Sequence, residues 1–121
     1  MAVSIDRFWR IVEGLPQVEQ GAGGDWISFK VDGKGFGYLW ERTRTVGLRQ
    51  TIEEQQALVA ERPEVFEVQF TSGRFGWVVV HLDGIDEDEL TELVTEAWLL
   101  TAPRELAEPY EAKLGLAPET R

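Results

Sequence analysis

The dipeptide Asp32-Gly33 stands inside DWISFKVDGKGFGYLW, residues 25–40, where apolar and polar residues alternate on both sides of it. An Asp-Gly pair between alternating segments specifies a two-residue hairpin, because a type I′ turn needs positive φ at both central positions. A hairpin here commits the chain to an antiparallel sheet. With Val31 opposite Lys34, Phe29 faces Phe36 and Ile27 faces Tyr38, on one apolar face. The other face pairs Lys30 with Gly35, Ser28 with Gly37 and Trp26 with Leu39. The glycines also suggest a phosphate-cradling loop. Such a loop needs a following helix whose N-terminus meets the anion, and a strand-like segment follows instead. The glycines are therefore expected to admit close packing by another element.

Around this hairpin, helical spacing marks SIDRFWRIVEGLP, with Ser4 as N-cap, an apolar stripe of Ile5, Phe8, Trp9 and Val12, and a stop at Gly14 and Pro16. RTRTVGLRQ reads as a further, exposed strand. TIEEQQALVAERP reads as a short helix that Thr51 and Glu54 cap, carrying Ile52, Leu58 and Val59. EVFEVQFTSGRFGWVVVHL is a second hairpin, Val65 to Phe70 and Phe75 to Leu82, and its WVVVHL strand is β-prone enough to be central. DGIDEDELTELVTEAWLLTAP begins a long helix at an Asp86–Glu89 cap, buries Leu90, Leu93, Val94 and Ala97, and breaks at Pro103. A last short helix or turn with Leu106 and Tyr110 leads to a frayed end. The order of elements implies an α+β fold: an antiparallel sheet built from two hairpins, with helices on one face.

At 121 residues, without a repeat or linker, one domain over residues 1–121 is expected. Hydrophobic residues at 43% suffice for a core. No apolar run is long enough to span a bilayer, and the start lacks the pattern of a signal peptide, so no membrane and a cytoplasmic location are expected. The net charge of −10 is unevenly spread: residues 1–28 carry −2, residues 29–50 carry +3 and residues 51–121 carry −11. The body repels polyanions while the middle segment can still contact one.

Chemistry is sparse. There is no cysteine, and no serine has nucleophile-elbow surroundings. His81 is the single histidine and is expected to be a partly buried structural residue in its strand. The acids Asp83, Asp86, Glu87, Asp88 and Glu89 lack the EF-hand pattern and suit a helix N-terminus. Trp9, Trp77 and Trp98 are expected in the core, while Trp26 and Trp40, at the open end of the first hairpin, are candidates for a binding surface. Lys30, Lys34, Arg42, Arg44 and Arg49 come from successive strands and can share one surface suited to phosphate.

FWRIVEGLPQVEQ, FKVDGKGFGYL and GWVVVHLDGIDEDELTELVTEAWLLTAP, in this order and spacing, resemble the MmcQ/YjbR family of small bacterial proteins. The resemblance runs over nearly the whole chain. It implies an α+β fold with two hairpin wings, a double-wing arrangement, and a DNA-binding role. The first wing would be Trp26 to Trp40 with Lys34 at its tip. The second would be Val65 to Leu82 with Arg74 at its turn. It implies no catalytic residue.

Two functions are thus expected, neither enzymatic. One is a nucleic-acid-binding module that contacts DNA weakly and salt-sensitively through Lys30, Lys34, Arg42, Arg44, Arg49 and Arg74. The other is a protein- or small-ligand-interaction module whose surface is the hairpin face of Trp26, Ser28, Gly35, Gly37 and Trp40. No cofactor and no metal are expected.

Overall fold

The structure, a computed structural model, describes residues 2–114. Helix α1 (Ile5–Glu13) is followed by strands β1 (Val18–Gly23), β2 (Trp26–Val31), β3 (Lys34–Trp40) and β4 (Thr45–Thr51). Then come α2 (Ile52–Glu61), β5 (Phe66–Ser72), β6 (Phe75–His81), a 3-10 turn at Leu82–Gly84, α3 (Glu87–Thr101) and α4 (Arg104–Leu114). All six strands form one antiparallel sheet in the order β1-β2-β3-β4-β6-β5. The fold is α+β, and the frayed end expected after α4 lies outside the described residues.

The three capping residues act as their side chains dictate. Ser4, Thr51 and Asp86 accept the backbone N–H of Arg7, Glu54 and Glu89 at 3.1, 3.0 and 2.9 Å, each satisfying a donor the helix start leaves free. Helices α1, α2 and α3 share one core with one face of the sheet: Phe8, Leu58, Val94 and Trp98 join Phe29, Leu48, Val78 and Val80. Trp98 is fully buried, and its Nε1 donates to Pro16 O at 3.1 Å, which ties α3 to the loop after α1. Burial of each such large side chain contributes about 1.5–3 kcal/mol. Leu106 and Tyr110 of α4 pack against the same core.

Three expectations are corrected. First, the sheet holds more than two hairpins. Strand β1, VEQGAG, pairs with β2 from Val18↔Val31 to Gly23↔Trp26, so β1–β4 form a meander beside the β5–β6 hairpin. Second, β4 is not exposed. It lies between β3 and β6, with Val46, Leu48 and Gln50 fully buried.

Third, the register of the first hairpin slips. Val31↔Lys34 and Lys30↔Gly35 pair as expected, but a bulge follows, and the next pairs are Phe29↔Gly37, Ser28↔Tyr38 and Ile27↔Leu39. One extra residue in a strand moves every later side chain to the opposite face. Gly37 therefore enters the core, where a Cβ would lie 2.8 Å from Cδ2 of Phe29. Tyr38 leaves the core face and joins the outer one. Of the glycines read as one face, Gly35 stays outside and Gly37 does not.

Candidate functional site

The outer face of the sheet carries a second aromatic cluster, distinct from the core. Ring centroids of Tyr38 and Trp40 are 6.0 Å apart, those of Tyr38 and Trp77 are 5.5 Å apart, and those of Phe70 and Trp77 are 5.4 Å apart. Gly47 permits this convergence. A Cβ there would meet Oε1 of Gln69 at 2.4 Å and Cη2 of Trp40 at 3.1 Å. Trp77 is only 4% exposed, yet it is sealed by rings on the outer face and not by the helices, which corrects its expected core position. Trp26 and Phe70 remain 42% and 43% exposed. With Tyr38, Trp40 and Gln69 they line a shallow hollow of about 310 Å³. Ser28 on the same face is covered and donates to Gly21 O at 3.3 Å.

The basic residues divide between the two ends of the sheet. The turns β2–β3 and β5–β6 leave the same end, because Lys34 begins β3 and Phe75 begins β6 beside Thr51, where β4 finishes. Their centres are three strand spacings apart, about 14 Å. Lys34 and Arg74 stand at these turns, Arg49 lies on β4 close to that end, and Lys30 lies on β2 opposite Gly35 and Glu19. Arg42 and Arg44 lie in the β3–β4 turn at the other end, about 20 Å away along a seven-residue strand. Arg44 is committed to the fold: its Nε donates to Asp83 at 3.0 Å and its Nη2 to Val3 O at 3.4 Å. The six cations are thus not one patch. Lys30, Lys34, Arg49 and Arg74 form one group, and among the described residues none of them has a carboxylate within ion-pair distance.

Arg49 is unusual within that group. Its guanidinium carbon lies 4.4 Å from the ring centroid of Phe75 and 5.5 Å from that of Trp77. Nη1 donates to Thr101 Oγ1 at 3.4 Å, while Nε is buried without an acceptor among the described residues. Burial pushes this guanidinium below its ordinary pKa, and Tyr38 offsets part of the effect. Arg74 lies 6.0 Å from the same Phe75 centroid. Two guanidinium groups therefore attend one ring, and stacking on aromatic faces holds them while leaving N–H donors for an anion.

Acidic residues are concentrated in the other layer. On the strands only Glu19 and Glu67 are acidic, whereas α3 alone carries Glu87, Asp88, Glu89, Glu92 and Glu96. Several are consumed structurally: Glu87 pairs with Arg7 at 2.8 Å, and Glu89 pairs with Arg62. Among the described residues no group of His, Cys, Asp and Glu could hold a metal ion. His81 is partly buried, with Nε2 2.5 Å from Oε2 of Glu67. Sequence reasoning missed Tyr38, Gln69, Phe70 and Phe75 as members of the site; the bulges in β3 and β5 that aim the first three have no mark in the alternation pattern, and Phe75 joins them only through the pairing of β6 with β4.

The YjbR family model matches residues 13–100. The chain is 36% identical to uncharacterized protein Rv2570 of Mycobacterium tuberculosis over 130 residues, covering 88% of this chain and 94% of that protein. The same figures hold for uncharacterized protein Mb2600 of Mycobacterium bovis. Among solved structures, protein DR2400 of Deinococcus radiodurans, with family-model domain DUF419, has the same fold. Its TM-score is 0.75 at 19% identity, over 97% of this chain and 93% of that one.

Proposed function

The chain belongs to the YjbR family, and from that premise we propose that it is a non-enzymatic module that binds nucleic acid through the sheet end bearing Lys34, Arg49 and Arg74. The observation that carries this reading is Arg49. Its half-buried guanidinium has no carboxylate partner among the described residues, and its buried Nε has no acceptor, an arrangement that an anion would complete. Here Arg74 shares its aromatic support, and Lys34 stands at the neighbouring turn. Phosphate oxygens suit such a set, because guanidinium forks bind them in two-point fashion. The acidic helices lie in the layer behind the sheet, so the field of the molecule would orient a polyanion toward the strand side.

Phosphate contacts release counterions, so affinity must fall as salt rises. Fluorescence anisotropy with a labelled oligonucleotide, at low and then moderate salt, tests the reading. Micromolar binding at low salt that weakens steeply with added salt supports it. No binding at roughly tens of micromolar at low salt overturns it.

A further inference from the structure

We infer that the strand this protein recognises is unpaired, with its bases laid on the outer aromatic face and at least one base seated in the hollow of Trp26, Tyr38, Trp40, Gln69 and Phe70. This inference rests on the nucleic-acid reading above and names the form of nucleic acid and the part of the face that takes its bases.

Four observations lead to it. The rings are continuous with the cations: Arg49 stacks on Phe75 and Trp77, Trp77 touches Phe70 and Tyr38, and Tyr38 touches Trp40. A chain of ring contacts, passing through the covered Trp77, thus joins the guanidinium groups to the hollow on one side of the sheet. The two most exposed rings of that hollow, Trp26 and Phe70, are at its rim and free to stack. Gln69 lines the hollow with a carboxamide whose Oε1 is buried against Gly47 and has no donor among the described residues. A rotation of that carboxamide on binding would give it a partner on a base edge. Finally, cations stand at the start of the path: Arg49 and Arg74 attend Phe75 without a carboxylate at ion-pair distance among the described residues, while Lys30 lies on the outer side of β2 opposite Glu19 and Arg42 shares the cleft beside Trp26 with Asp25 and Glu41.

A duplex cannot use this surface, because its base faces are stacked inside. An unpaired strand exposes them, and aromatic platforms with flanking cations are the common solution for binding one without strong sequence preference.

The test uses the full chain and three probes: a labelled single strand of about 12 thymidylates, the same strand as a duplex, and an abasic strand of equal length. The expected result is that the single strand binds at least about tenfold tighter than either of the others and quenches tryptophan fluorescence. Trp26→Ala and Phe70→Ala, both at exposed positions, each weaken single-strand binding about five- to tenfold and leave abasic binding unchanged. If duplex or abasic strand binds as well as the single strand, or if neither variant changes affinity, the inference is overturned while nucleic-acid binding stands. If no probe binds, the broader reading falls with it. Apo protein that doubles its mass in sedimentation, and becomes monomeric as Trp26→Ala, would show that a second copy covers the face, and that too overturns the inference.

Discussion

Arg49 lies over the ring of Phe75, 4.4 Å from its centroid, and among the described residues it has no carboxylate partner. Stability alone does not favour a half-buried guanidinium with a buried, unsatisfied Nε. Arg49→Met keeps the stem that packs on the rings and removes the charge. Its unfolding free energy should change by less than about 1 kcal/mol, or increase. Oligonucleotide affinity should nevertheless drop about tenfold. Urea denaturation and anisotropy on the same preparation separate the two effects, and a variant that loses stability without losing affinity contradicts a binding role.

The bulge in β3 makes two glycines unequal. A Cβ on Gly37 would press on Phe29, buried in the core, at 2.8 Å, whereas one on Gly35 meets nothing closer than Tyr38 Oη at 3.8 Å. Gly37→Ala should destabilise by about 1–3 kcal/mol, and Gly35→Ala by a small fraction of that. Equal effects in denaturant melts would mean that the two glycines share one face after all.

Gln55 secures the second bulge. Buried in α2, its Nε2 donates to Phe70 O at 3.1 Å and Trp77 O at 2.8 Å, bridging β5 and β6 where their register shifts. Gln55→Leu keeps most of the volume and strands two carbonyls, so it should cost about 2 kcal/mol or more. Because Phe70 hangs from this bulge, hydrogen exchange in residues 66–72 should accelerate as well.

Glu96 gives a pH signature. Burial, then the neighbouring carboxylates Glu54 and Glu111, raise its pKa in the folded state. The folded protein therefore holds this proton more tightly than the unfolded chain, and stability falls as pH rises through and above the ordinary carboxylate range. Glu96→Gln should raise Tm at about pH 7, and the gain should vanish near about pH 3, where the native carboxyl is protonated in both states. A gain that persists at low pH would show that charge is not its cause.

The helices were legible because their ends carry chemistry: Ser4, Thr51 and Asp86 cap as their types predict. The Asp32-Gly33 turn was legible for a related reason, since both residues take the positive φ that the turn demands. Strand β1 was not, because Glu19, Gln20, Gly21 and Gly23 carry no β preference and gain their conformation only by pairing with β2. The face of Tyr38 was misread because alternation fixes faces only up to the first bulge. The basic residues looked alike in sequence, yet Arg44 is neutralised by an acid 39 positions away while Arg49 finds two aromatic rings. Such partners are set by topology, and no local pattern encodes them.

The most direct measurement is the salt dependence of single-strand binding for the native chain and for the double variant Arg49→Met/Arg74→Gln. The account predicts a linear fall of log affinity with log salt in the native protein, weaker binding in the variant, and a slope shallower by about 1.4, the value for two lost phosphate contacts on a single strand. An unchanged slope and affinity in a folded double variant would contradict it.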